Sequence, residues 1–203
     1  MTPSKKGEWS EYYANHQNSK PTHTLLKGLR YFNEIEPSLT KKSIDIGCGQ
    51  GTDTAELVTQ GWDVLAVDRE SEAEEIILNR LSKFHGKELT IIVQEMENIE
   101  IPQVTLVNAS FSLPFCNPDN FSELWNKITS SIIVGGIFCG QLFGNDDGWA
   151  SNGSMTFHHR KSLDALFKNF RIHFLHEENS VSKTSSGEEK NWHVFNIVAV
   201  KLK

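Results

Sequence analysis

The 203 residues suffice for one domain with a sizeable core and are too few for two ordinary ones without a clear linker, while 38% hydrophobic against 23% charged residues excludes a disordered chain. No apolar run approaches the roughly 20 residues that span a bilayer, and the opening MTPSKKGEWSEYY carries no apolar segment of a secretory signal, so the chain is expected in the cytosol. A formal net charge of −6 gives no general pull on nucleic acid or anionic lipid, which leaves a small molecule as the expected partner.

In chain order, residues 1–40 read as a mostly helical lead-in, clearest over Thr24–Phe32, and 41–203 as the core of the same domain. Apolar runs rich in β-branched residues then recur at Ser43–Ile46, Val64–Val67, Leu89–Val93, Val104–Asn108 and Ile137–Phe143, with helical patterns between most of them. That alternation predicts βαβ units and a mainly parallel sheet. Ser71 with Glu74 has the spacing of a capping box for a helix carrying Ala73, Ile76, Ile77, Leu81 and Phe84 on one face. Asn117–Pro118 offers a cap and first residue for a helix with Phe121, Leu124, Trp125 and Ile128, stopped by Gly135–Gly136. Leu163, Leu166, Phe167 and Phe170 mark a last helix. Arg171–Glu178 and Trp192–Leu202 are strand-like with no crossover helix between them, so they are expected to pair antiparallel, joined by a mobile loop over Asn179–Asn191.

The stretch SIDIGCGQGTD, residues 43–53, concentrates the chemistry. Glycines at 47, 49 and 51 form the turn between a strand and a helix, where side chains would keep a ligand from the backbone. The helix start favours an anionic or electron-rich group. A dinucleotide site uses G-x-G-x-x-G, but here the glycines run G-C-G-Q-G and Asp45 stands two places before the first. A carboxylate there repels a pyrophosphate and suits a ligand with ammonium and sulfonium charges. Asp68 ends the second strand, where an acid can accept both ribose hydroxyls of an adenosine. S-adenosylmethionine meets each of these requirements, and a nicotinamide cofactor is disfavoured by the glycine spacing.

Ser43–Thr52 and Trp62–Asp68 (WDVLAVD) resemble the first two motifs of the class I S-adenosylmethionine-dependent methyltransferases. The likeness covers nearly the whole chain. Trp9, Tyr12 and Tyr13 near the start, VNASFSLPF at Val107–Phe115 and the short single-domain build make it most similar to the small bacterial enzymes of the tellurite-resistance and thiopurine type. The resemblance implies an α/β, Rossmann-like three-layer sandwich whose seven-stranded, mainly parallel sheet has one antiparallel strand near the C-terminus. It implies that Asp45, Gly47, Cys48, Gly49 and Gly51 wrap the methionine part of the cofactor, that Asp68 with Arg69 beside it holds the ribose, and that Glu95 and Met96 flank the adenine. Asn108, Ala109, Ser110 and Phe111 would lie along the methionine and methyl group, and Trp9 and Tyr13 would close the site as a lid.

Candidate acceptor-pocket residues are Tyr13, Trp149, His158 and His193. Trp149 stands in the glycine- and aspartate-rich loop GNDDGWASNG, at the sheet edge where ligands enter. The function expected is methyl transfer to a small-molecule acceptor, a thiol, chalcogen oxyanion or other small metabolite, by a monomer or homodimer with no metal and no nucleic-acid or membrane partner. The alternative is a catalytically silent nucleotide-binding module that acts through a protein partner. Asp53 reads as favouring its helix's first turn, and the separated Cys48, Cys116 and Cys139 as free thiols. His173 and His176, three apart on a strand, point to opposite faces and cannot share a metal ion.

Overall fold

The computed structural model describes residues 9, 13, 19–86 and 88–203. Tyr12, one of the lead-in aromatics, lies outside them. The helices are α1 (His23–Ile35), α2 (Thr52–Thr59), α3 (Ser71–Leu81), α4 (Pro118–Ser131) and α5 (Ser162–Leu166). The strands are β1 (Lys42–Ile46), β2 (Asp63–Asp68), β3 (Leu89–Val93), β4 (Val104–Ala109), β5 (Ile132–Gly144), β6 (Phe157–His158), β7 (Phe170–Lys183) and β8 (Glu189–Lys201). They form one sheet in the order β3-β2-β1-β4-β5-β8-β7. β1 to β5 pair in parallel, and β8 runs antiparallel to both β5 and β7. The expected seven-stranded, largely parallel sheet with one reversed strand is therefore present. The short β6 adds an eighth strand, pairing with Phe143–Gly144 beyond the last residue that β4 pairs with.

Two apolar layers sandwich the sheet. On one face α1, α2 and α3 bury Leu25, Leu29, Leu57, Val58, Ile77 and Leu81, and on the other α4 and α5 bury Phe121, Leu124, Trp125 and Leu163, with Phe167 just after α5. The helix α1 sits so close to the sheet that a Cβ on Gly28 would lie 2.2 Å from Cys139 Sγ on β5, so glycine is the residue that permits this approach. The burial of all three cysteines as free thiols follows from such packing.

Four local expectations need correction. Ser71 is the first helical residue of α3, not its cap: Glu70 takes that position and makes no side-chain cap bond. Gly135 and Gly136 do not stop α4, which ends at Ser131; they lie inside β5, where the register with β4 shifts. Gly135 has φ +82°, and a Cβ on Gly136 would come within 2.7 Å of the Thr105 carbonyl oxygen, so the irregularity itself requires them. Leu166 ends α5, and Phe170 already belongs to β7. Finally, residues 179–191 are mostly not a loop. β7 and β8 stay paired from Glu178↔Val194 out to Lys183↔Glu189, closed by a tight turn with Gly187 at φ +84°. Because β5 pairs with β8 only as far as Val194, this two-stranded extension projects past the end of the sheet.

Candidate functional site

The strand-to-helix turns at the C-terminal ends of β1, β2 and β4 open onto a cavity of about 870 Å³, the place where open parallel sheets bind ligands. From the first turn, Asp45, Gly47, Cys48 and Gly49 line it, with Gln50, Thr52 and Asp53. All three glycines have left-handed φ, +70°, +51° and +72° at 47, 49 and 51, which other residues rarely adopt. Their neighbours differ. A Cβ at Gly47 would strike Ser112 at 2.3 Å and one at Gly51 would strike Ile77 at 2.6 Å, whereas at Gly49 the nearest atom is Tyr13 at 3.4 Å. Thus Gly51, which does not line the cavity, serves packing against α3, and Gly49 is the glycine facing open space.

Asp68 accepts the Gly49 backbone N–H at Oδ2 (2.8 Å) and the Glu70 N–H at Oδ1 (3.0 Å). Tyr13 reaches the same Oδ1 with its hydroxyl at 3.4 Å. Burial holds the Asp68 carboxyl above the usual range, opposed by those two backbone bonds. Burial likewise pushes the Cys48 thiol well up, with the Asp68 and Asp45 charges adding to it, so Cys48 is no nucleophile. Arg69 lines the cavity while its guanidinium pairs with Glu70 at 3.2 Å.

Beneath the turn lies a buried carboxylate pair. Asn108 Nδ2 donates to Asp45 Oδ1 (2.8 Å) and to Asp53 Oδ2 (2.9 Å), and Thr54 donates to Asp45 Oδ2 (2.6 Å). Among the described residues no ammonium or guanidinium group pairs with either acid. Burial first, and the Asp53 charge second, push Asp45 up to about 7. Asp53 does more than favour its helix start. It accepts the Thr22 N–H (2.8 Å), the Thr22 hydroxyl (2.7 Å) and the Ser110 hydroxyl (2.7 Å), tying the lead-in to the ends of β4 and the glycine turn. Asn108 and Ala109, expected along the methionine, are fully buried and stand behind this wall instead. Ser110 and Phe111 do face the cavity, Phe111 with a left-handed φ of +55°.

The rest of the wall comes from several elements. Glu95 and Met96, after β3, line the cavity as expected, joined by Gln94 and Glu97. Trp9 and Tyr13 of the lead-in line it too, as does Trp149. His158 and His193 do not. His158 is buried against Phe121, ring centroids 4.7 Å apart, and burial lowers it to about 4, so it is a neutral core side chain. His193 is buried between Glu177 (2.9 Å from Nε2) and the Asp146 N–H (3.1 Å from Nδ1), under Gly144. Both correct the acceptor-pocket expectation, because neither residue lines the cavity. Residues missed in the sequence are Thr22, Phe115, Phe143 and the hairpin tip Lys183–Ser186, all lining the cavity. Only Phe115 carried a signal, as the last residue of VNASFSLPF.

Comparison with known proteins agrees with this arrangement. Residues 44–136 match the family described as "Methyltransferase domain". No curated protein matches the chain. Among solved structures, TehB from Haemophilus influenzae superposes with a TM-score of 0.73 at 17% identity, covering 94% of this chain, which spans 66% of the TehB chain. Magnesium protoporphyrin IX methyltransferase from Synechocystis PCC 6803 with bound S-adenosylhomocysteine gives 0.67 at 11% identity, covering 95% and 94%. The 1,6-didemethyltoxoflavin-N1-methyltransferase of Burkholderia thailandensis gives 0.62 at 17%, covering 89% and 79%. At these identities the structures speak for the fold. The domain match, from β1 into the start of β5, bears out the resemblance to class I S-adenosylmethionine-dependent methyltransferases, and the fold is close to that of TehB.

Proposed function

We propose that this chain moves a methyl group from S-adenosylmethionine to a small-molecule acceptor, a thiol, a chalcogen oxyanion or another small metabolite, bound in the same cavity. The observation that carries the reading is the placement of three carboxylates, Asp45, Asp53 and Asp68, around the glycine turn of one cavity, two of them with no cation beside them among the described residues. Such a group offsets the ammonium and sulfonium charges of that cofactor and disfavours a pyrophosphate.

In this reading Asp68 accepts the ribose hydroxyls, Gly47–Gly49 and Asp45 surround the methionine end, Glu95 and Met96 border the adenine, and Ser110 and Phe111 run beside the reacting carbon. When bound, the cofactor supplies a methyl group already activated by its sulfonium, so the reaction is an in-line displacement without need of a metal. What the chain contributes is alignment and dryness. Tyr13 and Trp9 cover the site, and the Thr22–Asp53–Ser110 bonds hold that cover against the sheet. Among the described residues no histidine lines the cavity, and burial raises the Tyr13 phenol above its usual range. An acceptor that arrives with its electron pair available fits this site best.

Calorimetry with S-adenosylmethionine and S-adenosylhomocysteine, followed by turnover against an acceptor panel, tests the proposal. Micromolar binding and acceptor-dependent S-adenosylhomocysteine release are expected. Absence of binding by either cofactor form overturns it.

A further inference from the structure

Six rings, Trp9, Phe111, Phe115, Phe143, Trp149 and Trp192, line one side of the cavity. They touch in series, with centroids 4.9 Å apart for Trp9 and Phe115, 6.3 Å for Phe143 and Trp149, 5.5 Å for Trp149 and Trp192, and 6.5 Å for Phe111 and Phe143. A wall of aromatic faces is the usual receptor for a cation, so it would suit an ammonium-bearing acceptor. Here the cation is already built in. Lys190 places Nζ 3.6 Å from the Trp192 centroid, 4.3 Å from Trp149 and 5.0 Å from Phe143. Its side chain is 3% exposed and is not part of the cavity lining, so the rings stand between the ammonium and any ligand. Asp147 holds it at 2.6 Å, and the same carboxylate accepts the backbone N–H groups of Trp149 (3.0 Å) and His193 (3.2 Å).

The ammonium is the pole of this pair that touches the rings. It draws their π density toward itself, and a second cation stacked on the cavity side would sit about 7 Å from it, repelled rather than held. Trp192 adds an independent sign of the same preference: its indole N–H is buried with no acceptor among the described residues, which suits an electron-rich partner and no cation.

We propose that the methyl acceptor is a flat conjugated molecule, neutral or anionic, that lies against this wall, and that Lys190 is a positioning residue that excludes cationic acceptors. The inference rests on the methyltransferase reading of the cavity and narrows it.

The test uses three probes of one shape: 2-naphthoate, 2-naphthylmethanol and (2-naphthylmethyl)trimethylammonium, titrated calorimetrically into the whole protein with and without S-adenosylhomocysteine. The cation is expected to bind about tenfold or more weakly than the neutral probe. In Lys190→Met combined with Asp147→Asn, which keeps an oxygen for one of the two N–H groups, the gap should close to within about threefold, with S-adenosylhomocysteine affinity unchanged. If that variant does not fold, the wild-type ranking decides alone. A cation that binds as tightly as the neutral probe, or no binding of any probe, overturns the inference. S-adenosylhomocysteine binding with an inverted or flat ranking refutes this proposal only, whereas the expected ranking without S-adenosylhomocysteine binding refutes the cofactor reading and leaves the wall's preference standing.

Discussion

Replacing Asp45 by Asn makes the buried carboxylate pair measurable. In the folded, ligand-free protein Asp45 titrates near 7, against an ordinary 3.8. Its folded-state value is raised, so the native state holds a proton that the unfolded chain has released. Stability therefore falls as pH climbs from about 4 to 7 and levels off above. At 1.36 kcal/mol per pH unit, the gap between 3.8 and about 7 corresponds to about 4 kcal/mol, and because the group is wholly buried little of this is screened away. Asn carries no such charge. It does, however, turn an amide toward a partner that donates to Asp45, Thr54 or Asn108, which costs about 1–3 kcal/mol at every pH. The quantity to follow is thus the difference in unfolding free energy between wild type and Asp45→Asn in urea, at steps from pH 4 to pH 8. Wild type should lose about 4 kcal/mol relative to the variant across that window. A difference that stays constant with pH refutes the assignment of a protonated Asp45 beside Asp53.

On the proposed reading, Asp68→Ala should weaken S-adenosylmethionine binding by about a hundredfold or more in calorimetry, since two charge-assisted hydrogen bonds to the ribose would be lost, while the far-ultraviolet spectrum stays native. Gly28→Ala should cost about 1–3 kcal/mol in urea unfolding, and adding Cys139→Ala should recover most of it, because the clash is with that sulfur. His158→Phe should leave kcat/KM within about twofold and its pH profile unmoved, as expected for a ring outside the cavity. The same variant removes a neutral buried histidine whose value is lowered from 6.5 to about 4. Wild type should therefore lose up to about 3 kcal/mol relative to it as pH drops through that interval. Lys190→Met alone should destabilise by about 3–5 kcal/mol by stranding the buried Asp147, and Asp147→Asn should relieve much of that cost.

What the sequence revealed and what it hid divide along physical lines. The glycine turn, Asp45 and Asp68 were legible because backbone conformation and charge there are local requirements written in residue type. The strand runs were legible because strands covered on both faces need continuous apolar residues. The hairpin beyond Glu178 was hidden, since its β7 arm is exposed throughout and carries no apolar alternation to read. His158 and His193 looked like acceptor groups because a histidine's type does not tell which way it faces; the packing of Phe121 and Gly144 decides that. Asp53 was read as a helix-start acid, and its bonds to Thr22 and Ser110 depend on partners 31 and 57 positions away. Lys190 gave no signal at all: it sat in a polar run whose surroundings only the fold supplies.

The sheet order carries a last consequence, for synthesis. The reversed strand β8 is the one that joins β7 to β5. While the ribosome is still making residues 189–201, β7 has no neighbour in the sheet and β5 keeps one edge bare. Completion requires β8 to pair with both β7 and β5, so a nascent chain stalled shortly before residue 189 would leave the apolar β5 edge open to chaperones and to other copies of itself.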